Sequence, residues 1–164
     1  MNTLFLMDPL NTIIPEKDTS YVLMLEAHQR GHTIYYLDKY GITRHQNKCH
    51  FHVQKLIPAQ SEAPSLFTVS DETILTEDEV NLIFIRTDPP FDELYLYHTW
   101  MLDLLPKHVT IINSPSGLRT MNEKIWLSQF KDLAPPTLFG FRSKPILDFL
   151  KEHKKIVLKP TNGY

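Results

Sequence analysis

The sequence predicts an α/β fold, a mainly parallel open sheet flanked by helices. Thr3–Met7, Thr33–Leu37 and Leu82–Arg86 are short, largely apolar runs of strand length. Between the first two lies Tyr21–Arg30, where Val22, Leu25 and Leu23, Ala27 recur at helical spacing. A strand, a ten-residue helix and a second strand form a βαβ unit, so at least part of the sheet is parallel.

Each element has local signals. The first strand closes at the turn dipeptide Asp8-Pro9. Asp18-Thr19-Ser20 offers N-caps for the first helix, and Gly31 stands where a C-terminal glycine belongs. Ile42–Ile57 reads as a hairpin turning at His45-Gln46-Asn47-Lys48, because Cys49, Phe51 and Val53 alternate with His50, His52 and Gln54. A loop with Pro58 and Pro64 and a strand at Leu66–Val69 follow; the acidic stretch Asp71–Glu79 reads as solvated. Beyond the strand ending at Arg86, Asp92–Leu105 suits a helix and Val109–Ile112 a short strand. Ser114-Pro115 opens a helix expected to run through Phe130. After Pro135-Pro136, a strand from Thr137, a helix over Ser143–His153 and a strand at Ile156–Leu158 make a second group. These elements divide the chain into residues 1–118 and 119–164. Three or four strands are expected in the main sheet.

Composition narrows the function. Seventeen Lys and Arg against nineteen Asp and Glu give a net charge of −2, which offers no electrostatic footprint for nucleic acid or an anionic membrane. The longest apolar runs are too short to span a bilayer, and no basic segment precedes the first of them as in a signal peptide. A single cysteine, Cys49, rules out an internal disulfide framework and suits a reducing cytoplasm; it reads as a small core residue. Twelve prolines against five glycines reverse the usual order, and no Gly-rich phosphate motif is present. His50 and His52 share one strand face, but spacing places no third ligand near them, so they read as solvated and no metal site is assigned.

Three places can carry chemistry. The turn at Asp8-Pro9, with Lys17-Asp18-Thr19-Ser20, joins a strand's C-terminal end to a helix N-terminus; this is where α/β sheets bind ligands, although capping alone also explains it. Arg86-Thr87-Asp88-Pro89-Pro90-Phe91-Asp92 puts an arginine and an aspartate just past a buried strand. Arg can grip a carboxylate bidentately and Asp can accept from an ammonium, which suits a zwitterionic amino-acid-like ligand; a local ion pair is the other reading. Lys124 and Lys159, the latter at a strand end before Pro-x-x-Gly, can each lie against a phosphate or simply face solvent.

In this order the blocks closely resemble bacterial glutathione synthetases of the ATP-grasp superfamily. They are Met7-Asp8-Pro9, Lys17-Asp18, Leu25-Glu26-Ala27, Arg30-Gly31-His32, Arg86-x-Asp88-Pro89-Pro90-Phe91-Asp92, Asn113-x-Pro115-x-Gly117-Leu118-Arg119, Asn122-Glu123-Lys124 and Leu158-Lys159-Pro160-x-x-Gly163. The likeness is weakest over residues 38–80. It implies a Rossmann-like substrate-binding domain over 1–118 followed by the start of an ATP-grasp domain. The family joins γ-glutamylcysteine to glycine with ATP, through an acyl phosphate held by Mg²⁺. By resemblance, Lys124 and Lys159 bind ATP, while Arg86, Asp88, Asp18 and Ser20 serve the peptide substrate. The resemblance also implies a cytoplasmic homo-oligomer.

One departure stands out. The family's chain continues for about as many residues again, and the Gly-rich loop has barely begun at Gly163-Tyr164. The acidic Mg²⁺ ligands fall in that further part. Without them nothing neutralises the developing phosphoryl charge, so the 164-residue chain alone is expected to be inactive. The alternative is a naturally short non-catalytic module, binding substrate or dimerising, derived from the same fold.

Overall fold

In the computed structural model, residues 1–59, 65–122, 124–130 and 132–160 are described. Gly163-Tyr164, Glu123 and Pro64, all used in reading the sequence, lie outside them. Six strands, β1 (Asn2–Met7), β2 (Thr33–His45), β3 (Lys48–Pro58), β4 (Phe67–Thr76), β5 (Leu82–Arg86) and β6 (Thr110–Ile112), form one sheet in the order β4-β3-β2-β1-β5-β6. β1 lies centrally and runs parallel to β2 and β5, and β5 runs parallel to β6. β2–β3 and β3–β4 are antiparallel. The sheet is therefore mixed and mostly parallel, as the sequence predicts, with more strands than expected.

β1 is central because it is apolar on both faces. Leu4 and Leu6 point into one core with Ile83, Ile85 and Val53; Phe5 and Met7 point into the other with Ile34 and Leu56. Alternate side chains of a strand leave on opposite sides, so one buried strand seeds two cores. Helix α1 (Thr19–Gln29) fills the second core through Tyr21, Met24 and Ala27. Helix α2 (Glu93–Asp103) closes the first through Leu102. Asp18 caps α1 as the sequence predicts, and Asp92, not read as a cap from the sequence, caps α2. The Asp18 carboxylate accepts from the Ser20 N–H at 2.7 Å, and that of Asp92 accepts from Tyr95 N–H at 2.9 Å. Gly31 ends the first helical segment at φ +79°, a conformation that favours glycine.

The hairpin turns on Gln46 and Asn47, both at positive φ. Its strands are pinned by a register shift between Leu37 and Ile42. There a Cβ on Gly41 would lie 2.7 Å from both the His52 carbonyl oxygen and Leu37 Cδ1, so only glycine lets the strands approach. Cys49 is fully buried, as expected of a small core residue.

The acidic stretch 71–79 corrects the sequence reading. Most of it is exposed, but Asp71–Thr76 belongs to the edge strand β4, whose backbone pairs with β3. The following 3-10 turn Glu77–Glu79 buries Glu77, whose carboxylate accepts from the Cys49 N–H at 2.8 Å. A buried backbone donor near the start of β3 recruits that carboxylate, which charge counting alone does not reveal.

The chain beyond Ser114 also departs from expectation. The predicted 114–130 helix is two pieces, α3 (Pro115–Thr120) and a 3-10 segment Ile125–Gln129. Helical geometry is interrupted after Thr120, and the Asn122 side chain restarts the chain direction by accepting from the Lys124 and Ile125 N–H groups, each at 3.0 Å. Helix α4 (Ser143–His153) forms as predicted. No strand forms from Thr137 or over Ile156–Leu158. A strand needs a ladder partner, and the six-stranded sheet supplies none to these segments.

Candidate functional site

The C-terminal ends of β1 and β5 lie side by side, with Met7 paired to Arg86. Each strand is followed by a loop leaving the sheet at the same edge. The loop after β1 leads into the N-terminus of α1, and the loop after β5 carries Thr87-Asp88-Pro89-Pro90. Between them opens a cleft of about 300 Å³ lined by Met7, Asp8, Thr12, Ile14, Lys17, Asp18, Thr19, Ser20, Arg86 and Asp88. Two positions sixty-six residues apart are thus joined by strand pairing, and Arg86 Nε donates to Ser20 Oγ at 2.9 Å.

All four residues expected on the peptide-substrate side, Asp18, Ser20, Arg86 and Asp88, line this one cleft. They do different work. Asp18 caps α1 with one carboxylate oxygen. Ser20 is buried and holds the Arg86 guanidinium by Nε, while the two terminal nitrogens of Arg86 have no hydrogen-bond partner among the described residues. Asp88 is held through its backbone: its N–H donates to Asp8 Oδ2 at 2.7 Å. Its exposed carboxylate has no side-chain partner among the described residues. Arg86 and Asp88 make no ion pair with each other within the described residues, so the local ion-pair reading of this loop is not what the geometry shows.

Asp8 and Lys17 line the cleft as well, although the sequence reading used them only as part of the turn and helix start. The signal for Asp8 was its place in Asp-Pro at a strand end, but its task of tethering the β5 loop needs the β1–β5 pairing to be known. With them the cleft holds two cations, Lys17 and Arg86, and three carboxylates, Asp8, Asp18 and Asp88. The field reaches Tyr36 on β2, whose phenol is pushed up by burial and further by the carboxylates of Asp38 and Asp8. Such a mixed-charge cleft can meet both ends of a zwitterion.

Lys124 and Lys159 are not among the residues lining this cleft. Lys124 is half-buried at the start of the 3-10 segment, and Lys159 is exposed. Among the described residues no group of three or more His, Cys, Asp and Glu side chains converges to hold a metal ion. His52 instead lies 3.6 Å from Glu72 across the β3–β4 pair. Among the described residues no helix is long and apolar enough to cross a membrane.

Residues 1–119 match the family model described as prokaryotic glutathione synthetase, N-terminal domain. The glutathione synthetase of Gloeobacter violaceus is 34% identical over 169 aligned residues, covering 99% of this chain and 52% of the relative. That of Vibrio parahaemolyticus is 32% identical, covering 96% of this chain and 50% of the relative. That of Buchnera aphidicola is also 32% identical, with 99% and 51% covered. The chain spans about half the length of these curated relatives. With 119 of its residues matched by the family model, the chain belongs to the prokaryotic glutathione synthetases and carries their N-terminal domain.

Proposed function

We propose that the cleft at the ends of β1 and β5 binds the zwitterionic amino-acid end of γ-glutamylcysteine, as the peptide-substrate side of an ATP-dependent carboxylate–amine ligase. The observation that carries this reading is the Arg86–Ser20 bond beside Asp88. The guanidinium is fixed through Nε, leaving its terminal nitrogens to receive a carboxylate as a bidentate pair. The Asp88 carboxylate is available to accept from the ammonium. Asp18 and Lys17 complete the rim, Asp18 chiefly by ordering the α1 N-terminus. Within this reading the chain divides at 118/119 into a substrate-binding domain and the first part of an ATP-grasp domain, and works in the cytoplasm.

ATP would supply the phosphoryl group that activates the carboxylate. Lys124 and Lys159 are the residues of this chain that would meet its phosphates as point charges. For Mg²⁺ the fit is poor: no convergent set of acidic ligands exists among the described residues. We infer that the 164-residue chain binds peptide substrate without ligating it. Glycine is the acceptor amine in this scheme.

The test is a titration of the isotopically labelled chain with γ-glutamylcysteine, followed by amide NMR shifts. Saturable shifts confined to residues 8–20 and 86–88 are expected, and Arg86→Ala should abolish them. Shifts scattered over the surface, or retained in full by Arg86→Ala, refute the assignment.

A further inference from the structure

The charged side chains that line the cleft are not equally committed. Asp8 Oδ2 accepts from the Asp88 N–H, and Asp18 Oδ1 accepts from the Ser20 N–H, each at 2.7 Å. Those two carboxylates already hold the backbone that frames the cleft. Arg86 uses only Nε, on Ser20 Oγ. Lys17 is exposed, and its ammonium has no hydrogen-bond or ion-pair partner among the described residues. The groups left open to a ligand are therefore two cations, Lys17 and Arg86, and one carboxylate, that of Asp88. Lys17 also stands where local stability disfavours it. It immediately precedes Asp18, the N-cap of α1, and a cation there opposes the partial positive charge of the helix N-terminus. Its backbone is nevertheless fixed, because the Ile14 carbonyl accepts from the N–H groups of Lys17 and Asp18, each at 2.9 Å. A residue that breaks a local rule inside a cleft, with no protein group to compensate, points to a ligand that does so.

We propose that Lys17 is a specificity-determining residue that pairs with the second carboxylate of the peptide substrate, the cysteinyl one, while Arg86 and Asp88 hold the glutamyl zwitterion. The inference rests on the reading of the cleft in the preceding subsection. γ-Glutamylcysteine carries two carboxylates and one ammonium, which match the three open groups one for one with opposite sign. A zwitterion without the second carboxylate leaves Lys17 unmatched, so the cleft selects by charge as well as by the amino-acid end. Ligation turns the cysteinyl carboxylate into an amide, so this contact belongs to the substrate and is lost once the peptide bond has formed.

The experiment titrates the isotopically labelled 164-residue chain with γ-glutamylcysteine and, separately, with its cysteinyl carboxamide, which keeps the zwitterion and removes one charge. The parent should bind the acid roughly fivefold more tightly than the carboxamide, the upper end for an exposed ion pair. Lys17→Gln should bind both ligands alike, at the parent's affinity for the carboxamide, and Lys17→Arg should restore the preference. Lys17 is exposed, so neither variant should alter thermal unfolding. The ratio of the two affinities separates charge recognition from a structural effect, which would move both ligands together. The proposal is overturned if the parent does not distinguish acid from carboxamide, if Lys17→Gln keeps the preference, or if it weakens both ligands equally. Failure of the proposed function looks different: neither ligand then gives saturable shifts at residues 8–20 and 86–88 of the parent, and the role of Lys17 falls with it.

Discussion

Ser20→Ala isolates the feature on which the substrate cleft depends. The Ser20 side chain is 3% exposed, and its Oγ accepts from Arg86 Nε at 2.9 Å. Alanine removes that acceptor and little else. The α1 cap survives, because Asp18 bonds the backbone N–H of residue 20, and alanine is the better helix former. A hydrogen bond to a charged group contributes about 1.5–3 kcal/mol, and Arg86 is half-buried, so water can partly replace the lost acceptor. A value at or just below the lower end applies, about 1–1.5 kcal/mol, split between stability and the preorganisation of the guanidinium. Where the whole amount falls on binding, γ-glutamylcysteine affinity drops by roughly five- to tenfold. The assay is the same NMR titration, paired with chemical denaturation to read the stability share. Unchanged affinity and unchanged stability together would refute the claim that Ser20 positions Arg86; so would a loss equal to that of Arg86→Ala, which would mean the hydroxyl contacts ligand directly.

Two further predictions concern the scaffold. His98 is buried on α2; its Nε2–H donates to the Lys39 carbonyl, while Nδ1 is buried with no partner among the described residues, and burial pushes its pKa below the ordinary value despite that bond. A histidine with a depressed folded pKa binds fewer protons folded than unfolded, so its contribution is full above about pH 6.5 and is lost as pH falls below that toward the folded pKa. Denaturation between pH 7.5 and 5 should therefore show a shallower loss of stability in His98→Gln than in the parent; equal slopes would contradict this. Glu77→Ala strips the buried Cys49 N–H of its acceptor and should cost about 1–3 kcal/mol. Calorimetry should then read a melting temperature lower by roughly 2–10 °C, and an unchanged value would mean water replaces the carboxylate.

The parallel centre of the sheet was legible because its strands are buried on both faces and so read as continuous apolar runs, with Asp18 and Gly31 marking the helix between the first two. The hairpin was legible for the opposite reason: Cys49, Phe51 and Val53 alternate with polar neighbours. β4 was only half visible, since Ser70–Thr73 is exposed and its pairing is carried by backbone groups that composition does not report. At the C-terminal end, apolar content at Thr137 and Ile156–Leu158 suggested strands that have no ladder to join.

The candidate site divides in the same way. The sequence by itself determined the residue types, an arginine and an aspartate past one strand and a capped helix start past another, because both are local signals. Only the tertiary structure decided that they share a cleft. Pairing Met7 with Arg86 across β1 and β5 brings Ser20 to Arg86 and Asp8 to the Asp88 backbone, and hydrogen bonds between groups so distant in the chain exist only once the sheet has set its register.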